Sequence, residues 1–322
     1  MAGEDDRPRA LRLVADAQHA GRRLDDVAVE WLTAVLGSAP TRAAVRRLIM
    51  AGALRLRGRP LRAPFALVER GAVLDLLLRP GLVRRRTGPA ALDAARILYE
   101  DDALIAVDKP PGLPTVATAD PSRPHLVGLV ERLLAAREGA GPSRPLGVHQ
   151  RLDRDTSGVV LLVKDPSANA GLAAQLGARA VEKTYLALTR SPEGGACPRH
   201  WRADAEVDGE AGRDPRTAVT DFEVLEVLPR GLLVQARPRT GRKHQVRIHL
   251  AQAGLPILGD VTYGGDASGV PRVMLHAARL ALEHPLTGDP LSLTSPMPDD
   301  FRTALDGLRR THRRVQGGRR RR

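Results

Sequence analysis

Apolar residues recur at helical spacing soon after Gly21: Val27, Trp31, Leu32 and Val35 share a face, and Gly37 ends the run. A second helix is expected after Thr41, a good N-cap type. Val45, Leu48 and Ile49 turn inward, Arg42, Arg46 and Arg47 lie on other faces, and Gly52 stands where a left-handed residue closes a helix. The period then switches to two. Leu54–Arg57 alternates, Gly58-Arg59 turns, the chain returns through Leu61, and Val73–Leu78 forms a further strand. Residues 79–95 carry Pro, Gly and an arginine run without periodicity, which reads as a linker.

Beyond it, strands are expected at 97–100 and 104–107, followed by Lys109-Pro110-Pro111-Gly112, a turn whose prolines fix the backbone. A helix over 126–136, a wholly apolar strand over 159–163, a helix over 167–178 and a strand over 185–188 come next. After a Gly- and acid-rich stretch at 191–216, strands resume at 218–224 and 232–236. A helix over 243–253 and strands over 273–282 and 291–294 complete the pattern. Many strands with few helices point to an α+β chain with a largely antiparallel, mixed sheet, preceded by a small unit of two helices on a sheet. The organisation expected is a flexible amino terminus (1–19), a small domain (20–80), a linker (81–95), a large domain (96–308) and a basic disordered tail (309–322).

Charge sharpens this picture. The 322 residues carry a net charge of +13, unevenly placed. Residues 1–92 hold 17 Arg against 9 acidic residues, 93–308 hold 25 basic against 28 acidic residues, and 309–322 hold 8 Arg and no acid. Basic ends around a near-neutral middle suit a polyanion, with nucleic acid the default partner. High arginine content by composition alone explains part of this, though not the absence of acids from the tail. Only eight aromatic residues make a sheet-wide stacking platform improbable. A single cysteine, Cys197, excludes an internal disulfide and a multi-cysteine zinc site, and a reducing cytoplasm is the simplest compartment. No apolar run is long enough to span a membrane, and no phosphate-binding glycine loop is present.

Two polar clusters could carry chemistry. The first, His149-Gln150-Arg151-Leu152-Asp153-Arg154-Asp155-Thr156-Ser157-Gly158, feeds directly into the apolar strand, where a scaffold can hold reactive groups rigidly. Arg151 and Arg154 flank Asp153 and favour its ionised form, as needed for a nucleophile or base. On this loop alone, a merely salt-bridged turn is an equally good reading. The second cluster, Thr240-Gly241-Arg242-Lys243-His244-Gln245-Val246-Arg247-Ile248-His249, opens a helix at a glycine turn. Its N–H groups with Arg242 and Lys243 suit an anion, and Arg247, three residues after His244 on one face, could fork onto a carboxylate. Basic helix starts without a ligand are also common. The histidines show no metal-ligand spacing.

Two resemblances bear on these readings. The basic helix ending at Ala51-Gly52-Ala53-Leu54, then Leu56-Arg57-Gly58-Arg59-Pro60-Leu61 and Val68-Glu69-Arg70-Gly71-Ala72-Val73-Leu74, resembles the S-four-type RNA-binding domain. In that family the basic helix docks on structured RNA, which would make Arg46 and Arg47 RNA contacts. The first polar cluster, with Lys164 after its strand, resembles the active-site motif His-Arg-Leu-Asp-x-x-Thr-Ser-Gly of RluA-type pseudouridine synthases. In order along the chain, Glu100-Asp101…Lys109-Pro110-x-Gly112, Glu182-Lys183-Thr184-Tyr185, Gly241-Arg242-x-His244-Gln245-x-Arg247-x-His249-Leu250, Pro256-Ile257-Leu258-Gly259-Asp260 and Leu275-His276-Ala277 agree with that family. Gln150 separates His149 from Arg151, which are adjacent in the family motif, and Lys243 stands where Ser or Thr is usual.

The resemblance implies a pseudouridine synthase, an isomerase that detaches uracil from ribose and rejoins it through carbon, most simply in ribosomal RNA. It implies Asp153 as the catalytic aspartate, Arg247 as its orienting partner and Tyr185 against the uracil ring. Arg151, Arg154, Thr156, Arg242, Lys243 and His244 would be substrate or RNA contacts. No metal, ATP or organic cofactor is expected, and the protein should be a cytoplasmic monomer with RNA as partner and no membrane. Whether the carboxylate attacks the base, attacks the sugar or removes a sugar proton stays open. So do a non-catalytic RNA-binding protein or chaperone on the same fold, and action on tRNA. In every enzymatic version the uridine must leave its stack, at a cost of a few kcal/mol, which basic contacts to phosphates can offset.

Overall fold

The structure, a computed structural model, describes residues 9–37, 39–40, 42–50, 53–61, 63–78, 91–118, 123–138, 145–191, 198–207, 216–265 and 269–317. Two sheets organise these residues. The smaller is four-stranded in the order β1-β4-β2-β3, from β1 (Arg9–Val14), β2 (Leu54–Leu56), β3 (Arg59–Pro60) and β4 (Val73–Leu78), all antiparallel. Helices α1 (Leu24–Leu36) and α2 (Arg42–Met50) cover one face, burying Leu24, Val27, Leu32, Val45 and Ile49 against Leu54, Leu74 and Leu76. Asp25 and Asp26 in the first turn of α1 complement its dipole, and Gly37 closes it at φ 68°. The expected caps of α2, Thr41 and Gly52, lie outside the described residues, as does most of the 81–95 linker.

The amino terminus departs from expectation. Instead of remaining flexible through residue 19, Arg9–Val14 pairs with the whole of β4, from Arg9 opposite Leu78 to Val14 opposite Val73. Leu11 and Leu13 pack on the helix side while Arg12 reaches Asp75 at 2.6 Å. Two inward leucines among arginines are too short a pattern to stand out along a sequence.

The larger sheet runs β5-β6-β7-β12-β8-β11-β10-β9. Its strands are β5 (Ile97–Glu100), β6 (Leu104–Lys109), β7 (Ser157–Val163), β8 (Glu182–Arg190), β9 (His200–Val207), β10 (Arg216–Leu228), β11 (Gly231–Pro238) and β12 (Leu275–Glu283). A further strand, β13 (Pro290–Thr294), pairs with the second half of β12. This is an α+β fold dominated by antiparallel pairs. The β7–β12 contact is parallel.

Strands β6 and β7 read as continuous apolar runs because both faces are covered. Ile105, Val107, Val160 and Leu162 pack on α3 (Leu126–Glu138), while Leu104, Ala106, Leu161 and Val163 pack with α4 (Ala168–Gly177). Helices α5 (Gln245–Gln252) and α6 (Asp299–Gly317) build the core over β8, β10 and β11, with Val246, Leu250, Phe301 and Leu305 against Phe222, Val224, Leu232 and Val234.

Strand β9 and helix α6 correct the sequence reading. β9 occupies part of the Gly- and acid-rich stretch. α6 continues to Gly317, so residues 309–317 are helical where a disordered tail is expected, and 318–322 lie outside the described residues. Its buried face is Phe301, Leu305 and Leu308, at helical spacing, and Arg309 forks onto Glu226 of β10 at 3.0 and 2.7 Å.

The β7–β12 junction places the loop before β7 beside the centre of the sheet. It needs a glycine. Gly158 has φ 119°, and a Cβ there would lie 2.1 Å from the carbonyl oxygen of Ala277. Gly158→Ala should therefore combine backbone strain with overpacking and cost roughly 2–5 kcal/mol. Denaturant unfolding of the two proteins measures it. A change under about 0.5 kcal/mol, the range of an ordinary surface substitution, would refute the tight junction.

Candidate active site

The turn that carries Asp153 is held through its backbone. The carbonyl of Leu152 accepts a hydrogen bond from Thr115 Oγ1 at 2.8 Å, and the Leu152 N–H donates back to the same oxygen at 3.1 Å. The carbonyl of Arg154 accepts from the Gly112 N–H at 2.8 Å and from Lys109 Nζ at 3.0 Å. Thr156 N–H closes the turn onto the Asp153 carbonyl at 3.1 Å. The proline-rich segment 109–115 thus grips the peptide on both sides of Asp153 and leaves its side chain to point away.

Lys109 is fully buried and also donates to the carbonyls of Pro110 (3.1 Å) and Leu113 (2.8 Å). Burial pushes its pKa down to about 7, opposed by the charges of Asp155, Asp153 and Asp108. From the other side, buried Arg272 donates to the Asp155 carbonyl at 3.1 Å and to Ser157 Oγ at 3.1 Å, and it forks onto Asp300 of α6.

The Asp153 carboxylate meets the start of α5. Arg247 Nη1 donates to Asp153 Oδ2 at 2.9 Å, and His244 Nε2 lies 3.5 Å from Oδ1. The helix begins at Gln245 rather than 243, because His244 adopts a left-handed φ of 55°. Gln245 anchors that start. Its amide oxygen accepts from Thr240 Oγ1 (2.7 Å) and the Arg242 N–H (3.0 Å), and its amide nitrogen donates to Val219 O and Thr220 Oγ1, each at 2.9 Å.

Arg247 also forks onto Asp260, Nε to Oδ2 at 2.7 Å and Nη2 to Oδ1 at 2.8 Å, and its guanidinium lies 5.1 Å from the Tyr263 ring centre. Tyr263 Oη is 3.0 Å from His244 Nδ1. Burial holds His244 below the usual imidazole range. The two carboxylates hold the Arg247 guanidinium firmly protonated.

Asp153, Tyr185, Arg247 and His244 line one cavity of about 770 Å³, ample for a nucleoside with its neighbouring backbone. Tyr185, on β8, is half-buried. Burial and the Asp153 charge push its hydroxyl well above the usual phenol range, so it stays neutral. Arg151, Arg242 and Lys243 are exposed at the cavity wall, whereas Arg154 turns aside to fork onto Asp155 at 3.0 Å and Thr156 is buried. His149 faces Asn169 (2.6 Å) rather than Asp153.

Arg46 lies in the amino-terminal unit, donates to buried Asp25 at 2.7 Å and covers the Phe65 ring. The side chain of Arg47 lies outside the described residues. Among the described residues no group of three or more His, Cys, Asp or Glu could hold a metal ion. The sequence reading misses Lys109, Asp260, Tyr263 and Arg272 as supports of the site. Their types are visible, and Gly259-Asp260 is a noticeable pair, but their partners lie on other elements, from 13 residues away for Asp260 and Arg247 to 117 for Arg272 and Asp155.

Comparisons with known proteins place the chain among relatives. A family model described as RNA pseudouridylate synthase matches residues 103–252. The ribosomal large subunit pseudouridine synthase C of Yersinia pestis is 31% identical over 322 residues, covering 94% of this chain and 97% of that one. The ribosomal large subunit pseudouridine synthase D of Xanthomonas campestris is 34% identical over 236 residues, covering 66% and 69%. Among solved structures, human RNA pseudouridylate synthase domain containing 4 matches with a TM-score of 0.55 at 27% identity, covering 67% of this chain and 93% of that one.

The buried Lys109 has a thermodynamic signature. Unfolded, it holds its proton up to the ordinary 10.5; folded, it releases it near 7. Between those values the unfolded state binds more protons, so this residue's contribution to stability rises with pH. The stability of the wild type relative to Lys109→Met should therefore increase from pH 7 to pH 9, as read by denaturant unfolding at each pH. A flat or falling difference would contradict it.

Proposed function

The chain belongs to the RNA pseudouridylate synthase family, and on that basis we propose that it isomerises uridines of ribosomal RNA to pseudouridine with Asp153 as the catalytic carboxylate. The observation that carries this reading is an aspartate exposed to a nucleoside-sized cavity and braced by a buried guanidinium at 2.9 Å. In the reaction the N1–C1′ bond of uridine breaks, a C5–C1′ bond forms, C5 loses its proton and N1 gains one, so the RNA is neither lengthened nor oxidised. An ionised carboxylate beside the everted nucleotide serves each route by which this can begin.

Tyr185 lies where it can pack on the everted ring, and its neutral hydroxyl adds no charge near the uracil carbonyls. Arg151, Arg242 and Lys243 at the wall suit the flanking phosphates. The two ribosomal large subunit relatives support ribosomal RNA as the substrate. The non-catalytic alternative draws on Gln150, the residue that interrupts the family motif. Gln150 lines the cavity, but Asp153 keeps its turn and its Arg247 partner, which supports the catalytic reading.

The small amino-terminal unit, two helices on a four-stranded sheet with a strongly basic surround, serves in this reading as an S-four-type RNA module. No helix among the described residues is long and apolar enough to cross a membrane, and a cytoplasmic monomer working on ribosomal RNA is the state proposed.

Mapping pseudouridines in total RNA with and without the gene tests the activity and names the nucleotide. In parallel, Asp153→Asn should abolish pseudouridine formation while binding ribosomal RNA within about twofold of the wild type, a change small beside the tenfold worth of 1.4 kcal/mol. Full activity in Asp153→Asn would remove the carboxylate from its role.

A further inference from the structure

The cavity does not explain how Arg247 is shared. Its buried guanidinium contacts two carboxylates, with Asp260 only 1% exposed and Asp153 31% exposed. Asp260 takes Nε and Nη2 together, the edge of the fork best matched to a carboxylate. Asp153 is left with Nη1 alone.

The loop bearing Asp260 is firmly built. The Asp260 N–H donates to the Ile257 carbonyl at 3.0 Å, and the Asp260 carbonyl accepts from the N–H groups of Tyr263 (3.1 Å) and Gly265 (2.8 Å). Gly259 has φ 80°, and a Cβ there would lie 1.8 Å from the Arg272 carbonyl oxygen. Three residues on, Tyr263 lies under the same guanidinium and hydrogen-bonds His244, the other group beside Asp153.

We infer that the segment Asp260–Tyr263 is a positioning element for the reaction: Asp260 restricts Arg247 to a single hydrogen bond with Asp153, and Tyr263 fixes His244, so that Asp153 keeps an oxygen free for the uridine. This rests on Asp153 being the catalytic carboxylate.

The reasoning is competitive. With Asp260 neutralised, the buried guanidinium has one anion left and takes it through two hydrogen bonds, because a buried charge follows its remaining partner. Asp153 is then fully engaged and becomes a poorer reactant. The other groups facing Asp153 are His244 from the turn before α5, Tyr185 from β8 and Lys109 from β6, with Lys183 of β8 and the wall residues Arg151 and Arg242 bordering the same cavity. Those around Arg247 are Asp153, Asp260 and Tyr263. Among the described residues none besides Asp153 and Asp260 supplies an anion to the guanidinium, so the exchange between these two sets the outcome.

The test uses the full-length protein and ribosomal RNA, labelled with tritium at uridine C5, from cells lacking the gene. Tritium release reports the isomerisation. Asp260→Asn should lower kcat roughly 10- to 100-fold, the scale for losing one support of a positioned reactive group. KM for the RNA should stay within about twofold. Tyr263→Phe, which removes only the hydroxyl facing His244, should lower kcat about threefold, the loss expected of one modest hydrogen bond, at unchanged KM. If Asp260→Asn does not fold, as judged by circular dichroism and melting, Tyr263→Phe decides alone.

Wild-type kcat in the folded variants, or a loss carried by KM instead of kcat, overturns the inference. Asp153→Asn run alongside separates the two readings. Tritium release by that variant defeats the catalytic carboxylate itself, whereas its silence together with an unaffected Asp260→Asn defeats only the positioning element.

Discussion

A guanidinium buried among apolar strands must be matched by anions that are themselves well held, or its desolvation cost goes uncompensated. Arg247 is such a group, and much of the site follows from satisfying it. One carboxylate, Asp260, is supplied by a rigid glycine-closed loop. The other, Asp153, is supplied by a turn tied at both flanking carbonyls. Two stretches of chain therefore converge on a single cation, and Asp153 is exposed to the cavity while Asp260 is buried.

The backbone clamp gives the convergence its rigidity. Lys109 and Thr115 act on the peptides beside Asp153, not on its side chain, so they fix the direction in which it points without consuming its oxygens. The same economy appears at Gln245, whose one amide satisfies a turn, a strand carbonyl and two hydroxyls while it starts α5. The buried polar groups around Asp153 hold one loop against another, and this is how an α+β scaffold keeps a small set of charged groups in register.

How much of this was legible in the sequence depends on range. β7 was readable because Val159–Val163, all buried, form an uninterrupted apolar run, and α1 because its apolar spacing and closing glycine agree. Asp153 and Arg247 were found by local motifs that carry a family resemblance, although they lie 94 residues apart. β1 escaped because two inward leucines between arginines do not rise above background. α6 escaped because Phe301, Leu305 and Leu308 are diluted by an arginine-rich outer face. The partnership of Asp260 with Arg247 could not be read at all, since it is made by loop geometry and not by spacing along the chain.

The pairing of β1 with β4 sets a practical boundary on the protein. β4 is an inner strand only because Arg9–Val14 covers its outer edge. A chain begun at Ala15 would leave the N–H and C=O groups of that edge bare beside a leucine-rich strand, an open template for strand addition by another molecule. Trimming those residues would thus leave a sheet edge prone to self-association.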